Sequence, residues 1–414
     1  MLEKLFKDPT LVERRRAGVL GPYLDSFLAA SLELGYATWS MRAQLWVLGH
    51  LEQWLKRKRL ALVVLNEKVL MHFLEHRRRG GHLGRSDSRT VHQFLEHLRG
   101  QGVVPSVRPT VDNSPLARLK QRYEDYLQKE RGLCPRTGER YWGFILQLLV
   151  ARFGRGPICI RKLGPDDVSN FVLRHARAGS PAVAQLMVAA LRSFCRFLFR
   201  SGETKRDLAG ALPAVATWRL AEVPKYLETH EVERVIQACQ PDTSVGRRDY
   251  AILLLLARLG LRANEVASLE LDDIDWRAGV LTVRGKGSYY DQLPLPPDVG
   301  EAIAVYLRQD RPRCNTRRVF VRSRAPHGGF GRASSVSDVV RRAVRRAGLQ
   351  PTHKGAHLLR HSLATGMLRR GASLAEIGQI LRHRLSSTTE IYAKVDLSGL
   401  RSIAQPWPKT GGGR

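Results

Sequence analysis

Two proline-bearing polar stretches cut this chain into three pieces, and each piece has to bury a core of its own. The first is Pro105-Ser-Val-Arg-Pro-Thr-Val-Asp-Asn-Ser-Pro115. The second, from about Gly202 to Pro224, has little periodicity and holds Pro213 and Pro224. Proline fixes φ and removes a backbone donor, so neither stretch continues a helix or a central strand. At 414 residues the chain has room for two or three domains. The expected division is 1–104, 115–203 and 224–414.

The first two pieces read as versions of each other. Tyr23-Leu-Asp-Ser-Phe27 matches Tyr123-Glu-Asp-Tyr-Leu127, and Leu65 to Phe73 matches Leu163 to Phe171. Phe94, Leu98 and Gly102 match Phe194, Leu198 and Gly202, at offsets that stay between 98 and 100 residues. Such an ordered offset is the mark of a repeated unit. Both copies have helical periodicity. In the second, Leu191, Phe194, Cys195, Leu198 and Phe199 form one apolar stripe with Arg192, Arg196 and Arg200 opposite. Arg192 and Arg196 are therefore candidate DNA contacts, although a charged helix face is often only a solvated one.

Charge narrows the partner. Lys and Arg number 68 against 38 Asp and Glu, a formal charge of +30. A field of that sign and size favours a polyanion, because neutralised phosphates release their counterions. The five cysteines (Cys134, Cys159, Cys195, Cys239, Cys314) have no paired spacing, which points to a reducing cytoplasm. The first eight residues have no apolar core, and the apolar run Ala251 to Ala257 is too short to span a bilayer, so no membrane is expected.

The third piece is mixed. Tyr250 to Leu259 reads as an apolar helix closed by Gly260. Val280 to Leu295 reads as a hairpin with Lys286 at or beside its tip. Ser334 to Ala347 is helical, with Val336, Val339, Val340 and Val344 inward and Arg341, Arg342, Arg345 and Arg346 outward towards phosphates.

Four islands in this half share one chemistry: Gly260-Leu-Arg-Ala-Asn-Glu265, the Lys286 hairpin, His357-Leu-Leu-Arg-His361, and Leu381-Arg-His383 followed by Tyr392. Transesterification of a phosphodiester passes through a strongly anionic five-coordinate phosphorus. It needs fixed cationic donors, an in-line nucleophile and a proton for the departing oxygen. Arg262 and Arg360 offer planar forks that lysine does not imitate. His357, Arg360 and His361 fall on one helix face, with Leu359, Leu363 and Met367 on the other. Ser373 with Glu376 forms a capping box, and Ser387 with Glu390 a second one that would open a short helix carrying Tyr392.

With these residues in this order, the chain resembles the tyrosine recombinase (phage integrase) family, strongly over about 224–400 and more weakly over about 115–203. The family pattern is an Arg after Gly-Leu, a hairpin Lys, His-x-x-Arg-His, a His or Trp, and a Tyr nine positions later. It falls here on Arg262, Lys286, His357, Arg360 with His361, His383 and Tyr392. The resemblance implies that Tyr392 attacks the scissile phosphate and holds the strand as a 3′-phosphotyrosyl ester. Lys286 would protonate the 5′ oxygen, Arg262 and Arg360 would clamp the phosphate, and His357 and His383 would assist. His361 is a supporting residue, and Glu265 an orienting one. No metal, ATP or other cofactor is implied. The implied fold is mainly α with a small antiparallel β-sheet: two helical N-terminal modules, the second a SAM-like core-binding domain, plus a mixed α/β catalytic domain, closing on duplex DNA as a clamp. The implied partners are double-stranded DNA and further copies or related recombinases, as a tetramer in the synapse. The C-terminal stretch resembles the transposon-associated branch, which implies movement or resolution of a mobile element. One departure stands out. Leu381-Arg382-His383 replaces the usual Leu-Gly-His and loses an easy positive-φ position.

Three other readings are separable. His353, His357 and His361 recur every four residues, as zinc ligands on a helix do, but Arg360 lies among them and no carboxylate adjoins. A type IB topoisomerase shares the tyrosine chemistry and would relax DNA without exchanging partners. A non-catalytic DNA-binding relic would lack one of the motif residues, and none is missing.

Overall fold

The structure is a computed structural model that describes residues 1–106, 112–154, 156–176, 179–215, 223–239, 241–285, 289–396 and 400–401. It divides into two compact units, Met1–Ser106 with Glu222–Arg414, and Val107–Ala221. The N-terminal segment and the C-terminal half thus belong to one unit, joined at a point where the His327 amide donates to the Leu34 carbonyl at 2.8 Å. Each keeps its own apolar core.

The N-terminal segment is helical: α1 (Leu2–Leu5), α2 (Pro9–Arg16), α3 (Gly21–Glu33), α4 (Thr38–Lys58), α5 (Glu67–Arg79) and α6 (Asp87–Gly100). Local signals set the starts. The Asp8 carboxylate accepts from the Thr10 amide ahead of α2, and Asn66 accepts from the Val69 amide ahead of α5. Phe27, Leu45, Phe73, Phe94 and Leu98 fill the interior, with Phe27 and Phe94 edge to face at 5.2 Å.

The second unit contains α7 (Pro115–Asp125), α8 (Pro135–Phe153), α9 (Pro165–Ala176) and α10 (Pro181–Arg200), each starting on a proline, which a first helical turn tolerates. Tyr123, Phe171, Phe194 and Leu198 are its buried centre. By length and composition α10 is apolar enough to cross a membrane, but 56% of its apolar window is buried as the core helix of this unit. The succession repeats that of α3 to α6. A 3₁₀ turn precedes the third helix in each segment, at Leu62–Val64 and Ile160–Lys162. The turns after the last helices both use a glycine, Gly102 and Gly202, at φ +70°.

The C-terminal half wraps a buried apolar helix, α12 (Ser244–Arg258), with α11 (Thr229–Gln237), α13 (Ala263–Ser268), α14 (Pro297–Gln309), α15 (Ala333–Arg346) and α16 (Ala356–Arg369). A three-stranded antiparallel sheet in the order β1 (Ile274–Asp275), β2 (Val280–Arg284), β3 (Tyr290–Pro294) packs its Leu281 and Val283 onto this core. The fold is thus mainly α with a small antiparallel sheet. β2 and β3 pair from Val280 opposite Pro294 to Arg284 opposite Tyr290, so Gly285 and Tyr289 close the hairpin. Lys286 lies between them, outside the described residues.

After α16 come α17 (Leu374–Ile380) and two 3₁₀ turns, Ser386–Thr388 and Glu390–Val395. They build a separate small cluster in which Ala364, Ile377, Leu381 and Tyr392 are buried over Leu363 and Met367. The Ser373–Glu376 capping box opens α17. The expected Ser387–Glu390 box does not open the next element. That element is 3₁₀, begins at Glu390, and has Thr389 at its cap position with no side-chain cap bond. Thr389 is buried and its hydroxyl bonds His383 instead.

Gly260 joins the core to the site. Its φ of +58° turns the chain from α12 into Arg262, and a Cβ there would lie 2.7 Å from Leu381 Cδ2 and 3.0 Å from Leu363 Cδ2. Gly260→Ala combines a left-handed alanine with overpacking, so thermal unfolding should show a loss of about 2 kcal/mol or more. A variant as stable as the parent would contradict the turn's importance.

Candidate active site

Arg262 stands at the N-cap position of α13, with extended backbone at φ −78°, ψ 150°. Glu265, one turn on, reaches back. Its carboxylate accepts from the Arg262 amide at 2.8 Å and from the Arg262 guanidinium at 2.7 Å. This is the reach-back half of a capping box, with a cation at the cap position, so Glu265 fixes the guanidinium as well as the helix start. Burial pushes the Glu265 carboxyl up, but the Arg262 amide, Arg382 and the Arg262 guanidinium together hold it below the usual carboxylate range.

Arg360 rises from the first turns of α16 and is 4% exposed. Two of its guanidinium nitrogens donate to the carbonyls of Gly260 and Leu381. Those carbonyls belong to the turn before Arg262 and the turn before His383, so one side chain pins both. Burial, followed by the charges of Arg262 and Arg382, lowers its pKa to about 10, which leaves it charged at neutral pH.

Three histidines share the site, and all are held neutral. His357 lies one turn before Arg360, its ring centre 6.3 Å from that of His361; burial, then Arg360 and Arg262, lower its pKa. His361 sits with Nδ1 2.8 Å from the Tyr392 hydroxyl, and burial, His357 and Arg360 press it down to about 4. His383 bonds the Thr389 hydroxyl through Nδ1 at 2.8 Å, while its amide donates to the Gly378 carbonyl at 2.8 Å. Its pKa also falls to about 4, through burial, then Arg360, Arg262, His361 and Arg382.

Tyr392 is 1% exposed, and its hydroxyl meets the His361 ring. Burial raises the phenol to about 12, with Arg360 pulling the other way. Among the described residues no group of three His, Cys, Asp or Glu side chains is placed to hold a metal ion.

Arg262, His357, Arg360, His361, His383, Tyr392 and Glu265 thus come from three separated stretches into one place. The outlying arginines divide. Arg341, Arg342 and Arg345 line a cavity of about 340 Å³ with Lys354. Arg346 turns instead towards the Cys239 sulfur at 3.5 Å. Arg342 also bonds the buried Asp249 at 3.2 Å, and Arg341 pairs with Asp338. On α10, Arg196 is exposed, whereas half-buried Arg192 donates to the Leu212 carbonyl at 3.2 Å. Part of the fork at Arg192 therefore holds the chain after α10, a partner that helical periodicity does not reveal. Sequence reasoning marked Arg382 only as a departure and passed over Thr389; their contacts hold Glu265 and His383.

Residues 225–398 match the phage integrase family, and residues 121–202 match its N-terminal SAM-like domain. The integrase/recombinase y4rA of Sinorhizobium fredii is 41% identical over 399 residues, 96% of this chain and 97% of that one. The chain belongs to the phage integrase family. It is a site-specific DNA recombinase of the tyrosine class. Tyrosine recombinase XerD of Mycobacterium tuberculosis is 31% identical over 70% of this chain and 96% of its own. Among solved structures, XerH bound to palindromic difH substrate shares the fold at TM-score 0.56, with 18% identity over 70% of this chain and 85% of that chain. A lambda integrase tetramer bound to a Holliday junction does so at 0.51, with 17% identity over 79% of this chain and 90% of that chain.

The depressed histidines make stability depend on pH. His361 and His383 stay neutral in the fold down to about 4, whereas the unfolded chain takes up protons near 6.5. Between those values the unfolded state binds more protons, so stability falls as pH drops from 6.5 towards 4 and is restored above 6.5. Thermal midpoints measured across that window should decline, and His361→Asn should flatten the decline. An unchanged pH slope in that variant would show that His361 titrates normally.

Proposed function

We propose that Tyr392 is the nucleophile of this recombinase. The observation that carries the reading is the burial of one tyrosine hydroxyl against His361, in the same cluster as two arginines whose guanidiniums are fixed by backbone and carboxylate contacts. The Tyr392 hydroxyl gives its proton to a neutral histidine of the site as its oxygen attacks the scissile phosphorus, the P–O5′ bond breaks, and the strand remains as a 3′-phosphotyrosyl ester. Arg262 and Arg360 balance the charge on the non-bridging oxygens. Fixed donors of this kind act without reorganising during the reaction. His357 and His383 donate hydrogen bonds or carry protons, and His361 holds the hydroxyl in the resting site. Lys286, on the loop between β2 and β3, protonates the departing 5′ oxygen. Rejoining reverses the step with a new 5′ hydroxyl, so the bond energy is conserved.

On α15, Arg341, Arg342 and Arg345 contact DNA phosphates, and on the second unit the exposed Arg196 does so too. The assembled form is a tetramer on two duplexes; the lambda integrase neighbour is a tetramer bound to a Holliday junction. The substrate is a mobile element, moved or resolved, and the compartment is the cytoplasm. The five cysteines have no paired spacing, which suits that compartment.

The test uses the full-length protein and a nicked duplex cut from the DNA that flanks its coding region. A covalent protein–DNA band should form in EDTA and vanish in Tyr392→Phe. Persistence of the band in that variant would remove Tyr392 from the role. Arg262→Ala should lose cleavage by about 100-fold or more while retaining most DNA affinity, because many other phosphate contacts remain. A parallel loss of binding would make Arg262 a docking residue.

A further inference from the structure

Arg382 takes a left-handed backbone, φ +55°, which costs an L-residue free energy through crowding of its Cβ. Arg59 does the same at the exposed end of α4, where its side chain meets solvent. The Arg382 side chain is 6% exposed. Its guanidinium donates to the Glu265 carboxylate at 2.8 Å, on the oxygen that also receives the Arg262 amide. Its Nε lies 3.8 Å from the Asp291 carboxylate on β3. Its backbone carbonyl accepts from the Arg262 guanidinium at 3.3 Å. Residue 382 therefore holds Arg262 twice, directly through its carbonyl and indirectly through Glu265.

We propose that Arg382 is a positioning residue that keeps the charge of Arg262 available to the scissile phosphate. Glu265 faces two guanidiniums, Arg262 at 2.7 Å and Arg382 at 2.8 Å, so the three groups keep one net positive charge. With glycine at 382, Arg262 and Glu265 form a neutral pair, and the attacked phosphate meets a cation already compensated. The same guanidinium also lies 3.8 Å from the Asp291 carboxylate, beyond hydrogen-bond reach, and donates to the Ile380 carbonyl of its own turn at 3.3 Å. A side chain that only filled space would favour a different outcome. Glycine would then relieve the backbone and leave the chemistry intact.

The inference rests on Arg262 as a phosphate ligand, and the experiment separates the two. Full-length protein is tested under single-turnover conditions on the nicked duplex taken from the DNA flanking its coding region. Arg382→Gly should slow formation of the covalent band by about 10- to 100-fold, with DNA retention unchanged. Arg382→Lys should recover part of the rate, and Arg382→Gln, which keeps the bulk without the charge, should not. The decisive variant is Glu265→Gln combined with Arg382→Gly. Removing the carboxylate charge releases Arg262, so the double variant should cleave faster than Arg382→Gly alone. A merely structural role predicts the opposite order, since the double variant loses more contacts. Wild-type rates in Arg382→Gly, or a double variant no faster than the single, would overturn the proposal. If Arg382→Gly fails to fold, equal rates in the Gln and Lys variants overturn it. A wild-type protein that forms no band overturns the assignment of the site itself, and this proposal with it.

Discussion

The site is governed by the difficulty of gathering cations where little water can reach them. Arg262, Arg360 and Arg382 converge with three histidines around a single buried carboxylate, Glu265. Like charges at such distances repel strongly once partly desolvated. The structure relieves the repulsion in three ways. Glu265 stands between Arg262 and Arg382. Arg360 faces the carbonyl ends of two turns. Burial first, and the neighbouring cations after it, lower His361 and His383 to about 4, so these histidines stay neutral and add no further positive charge.

These devices explain why the elements meet where they do. The carbonyls of Gly260 and Leu381 face Arg360 only because each chain turns sharply after a helix, one at φ +58° on Gly260 and the other at φ +55° on Arg382. The two turns lie far apart in sequence, and α16 between them brings Arg360 to both. Below, Leu381, Ile377 and Ala364 bury Tyr392 in a cluster separate from the main core. The elements that carry Arg262 and Arg360 thus pack on the main core, while the tyrosine's element has a small one of its own. Elements with few buried contacts open at lower free energy than a core does.

Much of this was legible before any coordinates. The inward valines of α15, the Gly260 turn, the β2–β3 hairpin and the Ser373–Glu376 box each follow from local rules of periodicity, backbone freedom and capping. The two helical segments keep their offset because the same buried phenylalanines, Phe94 and Phe194, hold the same place in each. What could not be read were partners set by tertiary contact. Thr389, and not the expected Ser387, stands at the cap position of the element that carries Tyr392, and its hydroxyl bonds His383. Arg346 and Arg192 look outward in a helical projection, yet Cys239 and the Leu212 carbonyl receive them. The missing glycine at 382 was visible as a departure, but not its meaning, which depends on Glu265 being buried beside it.

With Tyr392 as the proposed nucleophile, that departure also bears on how its reactivity is controlled. In the resting chain the Tyr392 phenol is buried at about 12, against a His361 held near 4. A proton does not pass readily between groups so far apart in affinity, so the paired hydroxyl is inert as it stands. The scissile phosphate changes the balance, because it brings the negative charge that the cluster lacks. Beside a bound anion the histidines regain proton affinity, and the arginines gain a partner other than Glu265 and backbone carbonyls. Attack on phosphorus increases that negative charge further, so the transition state is stabilised more than the bound duplex. A cluster richer in cations than in anions thus ties the activation of this proposed nucleophile to the arrival of the DNA phosphate.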